Sequence, residues 1–103
     1  MKYEISREIF KQRLEDRHNF VFINLAASSV KFDNVVDLTF TDGFASKFSS
    51  QYPDKAQNII LYSLNKGDRS PEKAAHELSS LGYQFVYYYL GSDKDKVLDQ
   101  GMN

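Results

Sequence analysis

The residues best suited to chemistry in this chain crowd into one short stretch, Tyr62-Ser63-Leu64-Asn65-Lys66-Gly67-Asp68-Arg69-Ser70-Pro71. Successive backbone N–H groups in such a loop can curl around an anion, and a helix starting at Pro71 would add the positive end of its dipole. Lys66 brings charge, Arg69 has the fork geometry of a bidentate clamp, and Gly67 allows the positive φ of a tight curl. Asp68, beside Arg69, subtracts some of that charge. The plainer reading is a solvated polar turn; against it stands the loop's length, since simple strand-to-helix connections run to ~2–6 residues.

A nucleophile is harder to find. Cysteine is absent, which excludes thiolate catalysis, disulfides and thiolate metal sites. Ser63 carries a hydroxyl, but a hydroxyl at neutral pH needs an adjacent base. His76 lies six residues beyond Ser70, roughly 9 Å up the helix at ~1.5 Å per residue. His18 has no reason in the sequence to face the loop. Two histidines without thiolates are too few for a typical zinc site, so neither metal nor cofactor is expected. With 13 basic and 14 acidic side chains in 103 residues, no basic footprint for nucleic acid is present. No apolar run approaches the ~18 residues of a membrane span, and Met1 to Phe10 lacks the continuous apolar core of a signal peptide. A cytoplasmic location is expected.

Strand-like and helix-like segments alternate, which predicts one α/β domain with a mostly parallel sheet. Tyr3 to Ile5 is a short extended lead-in. Ser6 is placed to cap a helix with Ile9, Phe10 and Leu14 on its apolar face, ending near Arg17. Phe20 to Leu25 is a continuous apolar run, as expected of a strand covered on both faces. Val35 to Leu38 reads as a shorter strand, and Phe40, Phe44, Ala45, Phe48 and Tyr52 predict a helix over Thr41 to Gln51, stopped before Pro53. The three phenylalanines in that set are expected in the core.

Asn58 to Tyr62 is the best central-strand candidate. After the loop comes the clearest helix: Ser70 as cap, Pro71 in first position, Ala74, Ala75, Leu78 and Leu81 as buried stripe, Gly82 as left-handed stop. Phe85 to Tyr89 is the last strand, its rings expected to pack the core rather than to stack on a ligand. Ser92 is placed to cap a final helix bearing Val97, Leu98 and Met102.

From Asn58 to Gly91 the order is Asn-Ile-Ile-Leu-Tyr-Ser, a loop ending Gly-Asp-Arg-Ser-Pro, an Ala-rich helix, Leu-Gly-Tyr and a Val-Tyr strand. This resembles the C-terminal half of a rhodanese-like domain. Val21-Phe22-Ile23-Asn24-Leu25 resembles the family's first long strand, whereas Ala26 to Val30 is shorter than usual and Lys31 to Val35 matches poorly. The resemblance implies a single rhodanese-like domain, a parallel sheet of about five strands flanked by helices on both faces.

It also puts the family's persulfide-carrying cysteine on Ser63, or on Leu64 if the loop is aligned through Gly67 and Arg69. With five residues between Ser63 and Arg69, the loop has the length of rhodanese relatives that handle phosphate or arsenate, the dual-specificity phosphatases among them. Asn24 stands where the family has an Asp, and Ala26 where an Arg often follows. These departures imply a degenerate site with no catalytic residue.

The expected function is thus a non-catalytic binding or regulatory module that holds an oxyanion or a protein partner at Ser63, Leu64, Asn65, Lys66, Gly67, Asp68, Arg69 and Ser70. Neither nucleic acid nor membrane is expected as a partner. The alternative is a sulfurtransferase- or phosphatase-related enzyme with residual activity, working through a thiol supplied by a partner. If the loop kept its cradle of amides, a cysteine placed at position 63 would have a depressed pKa and high reactivity.

Overall fold

The computed structural model describes residues 2–15, 20–25, 36–65 and 67–91. They form five strands and three helices: β1 (Lys2–Glu4), α1 (Arg7–Glu15), β2 (Val21–Asn24), β3 (Val36–Asp37), α2 (Phe44–Gln51), β4 (Asn58–Ser63), α3 (Ser70–Ser80) and β5 (Phe85–Leu90). All pairings are parallel, in the order β1-β5-β4-β2-β3. The chain is an α/β fold built on a five-stranded parallel sheet.

Handedness distributes the helices. A crossover between parallel strands is right-handed, so connections moving along the sheet in opposite directions must lie on opposite faces. The β1-to-β2 move runs one way and carries α1. The β3-to-β4 and β4-to-β5 moves run the other way and carry α2 and α3.

Two apolar clusters mark the two faces. Phe10 and Leu14 of α1 pack with Phe22, Ile60, Tyr62, Leu64 and Tyr89. On the other face Phe44, Phe48, Ala74, Ala75 and Leu78 pack with Ile23, Ile59, Leu61, Val86 and Tyr88. β4 feeds both, since successive side chains of a strand point to opposite faces, and this is why Ile59 to Tyr62 is apolar without interruption. The first cluster is largely aromatic: Phe10 stacks on Tyr89 with ring centres 4.4 Å apart and lies 5.2 Å from Tyr62.

Several local expectations shift. The lead-in at Tyr3 is a full edge strand, Lys2 to Glu4 pairing with Val86 to Tyr88. Helix α2 starts at Phe44 rather than Thr41, because residues 41–43 form a turn closed by Phe44 N–H donating to Thr41 O (3.0 Å). Phe40 is half-buried against the core, not within it.

Ser70 is not the cap of α3 but its first residue; Arg69 takes the cap position without a side-chain bond. Leu81 falls off the buried stripe and is 46% exposed, because the helix ends at Ser80 and the chain turns out through Gly82 at φ +98°. Ser6 behaves as expected, its Oγ accepting from Ile9 N–H at 3.3 Å. The expected helix end at Arg17, Ala26 to Val35, His18, Lys66 and the helix after Ser92 lie outside the described residues.

Candidate functional site

Strands β2 and β4 are neighbours, yet the chain leaves β2 toward β3 and leaves β4 toward β5, in opposite directions. Their carboxyl ends therefore form the switch point where open α/β sheets bind ligands. Ser63 is the last residue of β4, in register beyond the Asn24–Tyr62 pair, with buried Asn24 ending β2. The loop singled out in the sequence opens at this point.

Alternation along β4 separates the two candidate nucleophile positions. Leu64 is buried in the aromatic cluster against α1. Ser63 is fully buried at the base of the loop, and its hydroxyl turns into it. There Ser63 Oγ donates to Asp68 Oδ2 at 2.8 Å and accepts from Asn65 N–H at 3.2 Å. The other oxygen of the same carboxylate, Oδ1, accepts from Ser70 N–H at 2.9 Å, at the start of α3. Asp68 N–H donates to Asn65 O at 3.1 Å, and Gly67 holds φ +79° in the curl between them.

The negative group in the cradle is thus the chain's own Asp68. Partial burial pushes its carboxyl up, but the Ser70 amide, the Ser63 and Ser70 hydroxyls and the charge of Lys73 outweigh that, and the pKa lies below the usual 3.8.

Arg69 does not reach over the loop. Its Nη2 donates to both carboxylate oxygens of Glu72, each at 3.0 Å, and its side chain is 60% exposed. The hydrogen bond from Arg69, helped by its charge, holds the Glu72 carboxyl below its ordinary range. Tyr88 OH donates to Glu72 Oε2 at 3.5 Å, and burial together with the nearby Glu72 and Glu4 charges pushes the Tyr88 hydroxyl up. His76 is exposed on α3, beside a groove shared with Lys2, Phe40 and Glu77, while Ser63 is enclosed. No hydrogen bond joins them.

The loop thus brings together Ser63, Asn65, Asp68 and Ser70, with Gly67 shaping the turn, and leaves Leu64 in the core and Arg69 outside. The part played by Asp68 was missed in the sequence, where it counted only as charge cancelling Arg69. A usable signal was present: an Asp two residues before a helix-starting Ser-Pro is placed to accept from the backbone N–H two positions on. Among the described residues no group of His, Asp or Glu side chains could hold a metal ion, and no helix is long and apolar enough to cross a membrane.

The chain matches no protein-family model and no curated protein. The rhodanese likeness therefore rests on residues of this chain alone.

Proposed function

We propose that the chain is a non-catalytic, rhodanese-like binding module whose Ser63–Ser70 loop is a preformed contact surface for a protein partner. One observation carries this reading: the carboxylate of Asp68 accepts from both Ser63 Oγ and Ser70 N–H. On the rhodanese-like alignment it fills the place expected for a substrate anion and bonds the hydroxyl at one of the two positions expected for the nucleophile. A depressed carboxyl pKa makes Asp68 a weak base, and full burial of Ser63 keeps a substrate from the hydroxyl. The same enclosure weighs against a borrowed thiol acting there. Loop bonds that fix the backbone while Gly67, Arg69 and Lys73 stay exposed suit recognition without chemistry.

A second reading has support of its own. The cradle already accommodates one negative group at the start of α3, so a free oxyanion could replace Asp68 if that side chain swung out. Titrating the protein with thiosulfate, sulfate and phosphate while following the amide resonances of Asn65 and Gly67 to Lys73 separates the two. The self-filled loop predicts no shift up to ~10 mM in the native chain and saturable shifts in Asp68→Ala. Shifts in the native chain would favour the oxyanion reading. Sulfur transfer from thiosulfate to cyanide by the purified chain would overturn the non-catalytic one.

A further inference from the structure

A cavity of about 120 Å³ lies between α1 and the amino-terminal half of the sheet, at the opposite end of the strands from the Ser63 loop. Its position follows from register. Ile60 and Tyr87 are paired neighbours on β4 and β5, and with Asn58, two residues before Ile60 on the same face, they form one wall. Ile9 and Arg13, four apart on α1 and so on one helix face, form another, and Ile5 and Phe20 close the ends. An engineered apolar cavity of ~150 Å³ takes up benzene, so the volume suits a single ring or a short branched chain.

Among the described residues that line it, Ile5, Ile9, Phe20 and Ile60 are apolar, Tyr87 brings a phenol, and two carry stronger polar groups, the Arg13 guanidinium and the Asn58 amide. Neither side chain has a hydrogen-bond or ion-pair partner among the described residues. Arg13 lies 5.4 Å from the centre of the Phe20 ring, which steadies the cation at the cavity's edge without neutralising it. Small-molecule sites combine apolar walls with a few polar groups, and here the strongest of those groups are a cation and a neutral donor.

We propose that this cavity binds a small apolar carboxylate, an aromatic or branched-chain acid. Its hydrocarbon part packs on Ile60, Ile9 and Tyr87, and its carboxylate pairs with Arg13 and accepts a hydrogen bond from the Asn58 amide. A neutral ligand of the same shape gains the packing but leaves the guanidinium unpaired.

The test uses the full chain and two probes of near-identical shape, benzoate and benzamide, followed through the methyl resonances of Ile5, Ile9 and Ile60. Benzoate should give saturable shifts at those methyls with a Kd of ~0.1–10 mM, and benzamide should bind about tenfold more weakly. Arg13→Gln should bring benzoate down to the benzamide level while leaving benzamide unchanged. Asn58→Asp, an exposed change at the strand's start, should weaken benzoate by a similar factor through charge repulsion. Any one of three results overturns the proposal: no saturable shift at these methyls, equal affinity for the two probes, or benzoate binding that survives both variants. None of them bears on the Ser63 loop, which is tested by inorganic anions at the other end of the sheet.

Discussion

Replacing Asp68 with alanine removes two charge-assisted hydrogen bonds at once, those from Ser63 Oγ (2.8 Å) and Ser70 N–H (2.9 Å). A hydrogen bond to a charged group contributes ~1.5–3 kcal/mol, and a buried donor left without a partner costs ~1–3 kcal/mol. The two losses differ in kind. Ser70 N–H sits at a half-exposed helix start, where water can replace the carboxylate, whereas the Ser63 hydroxyl is fully enclosed. The Ser63 bond should therefore dominate, with a smaller loss from removing an acid near the α3 N-terminus, ~0.3–1 kcal/mol.

Together these give a destabilisation of about 2–4 kcal/mol. For a urea slope of ~2 kcal/mol/M, the unfolding midpoint should fall by roughly 1–2 M. A double-mutant cycle with Ser63→Ala isolates the bond: with the hydroxyl gone, Asp68→Ala should cost only about 1 kcal/mol, a coupling of ~1–3 kcal/mol.

The pH dependence follows from the direction of the Asp68 shift. Its folded pKa lies below the usual 3.8, so the unfolded chain binds the proton first as pH falls. The contribution is full above 3.8 and is lost as pH drops through the lower folded value. Asp68→Asn should remove this acid-labile component of stability. A cost below ~0.5 kcal/mol for Asp68→Ala, or the same cost in the Ser63→Ala background, would refute a loop closed by this carboxylate.

Three further outcomes are expected. Ser63→Cys should yield a slow thiol, because burial and the adjacent Asp68 carboxylate both disfavour the thiolate; adding Asp68→Ala should speed alkylation about tenfold, one pKa unit's worth of thiolate. A fast thiol in the single variant would contradict the geometry. Phe10→Ala should cost ~3–5 kcal/mol in urea unfolding, since Phe10 is fully buried and contacts Phe22, Tyr62 and Tyr89. Tyr83→Phe should cost ~1–2 kcal/mol by thermal or urea unfolding, because the buried Tyr83 hydroxyl donates to Tyr52 O at 2.5 Å and ties the end of α2 to the start of β5; an unchanged midpoint would mean water replaces it.

Much of the fold was legible in the chain because its signals are local. The largely apolar runs at residues 20–25 and 59–62 mark strands covered on both faces, and the Pro71 to Gly82 punctuation bounds a helix. Parallel strands joined by helices then follow from the alternation. The loop, too, could be located, because Gly67, Asp68, Arg69, Ser70 and Pro71 are strong turn and helix-start residues. What is not local went astray: Leu81 has helical spacing yet lies past the end of α3, and Ser70 has a cap's chemistry yet lies inside the helix.

By itself, the sequence determined that these 103 residues supply no thiol, that the sheet is mostly parallel, and where the polar loop between β4 and α3 begins and ends. Only the tertiary structure decided what fills that loop. Hydroxyl, carboxylate and amide are interchangeable as polar residues in a string of letters, and which donor meets which acceptor depends on backbone direction within a fraction of an ångström. That direction turned Asp68 inward onto Ser63 and Ser70 and left Arg69 outside, paired with Glu72. The structure likewise brought Arg13 and Asn58, 45 residues apart in the chain, to line one cavity, because α1 packs over β4.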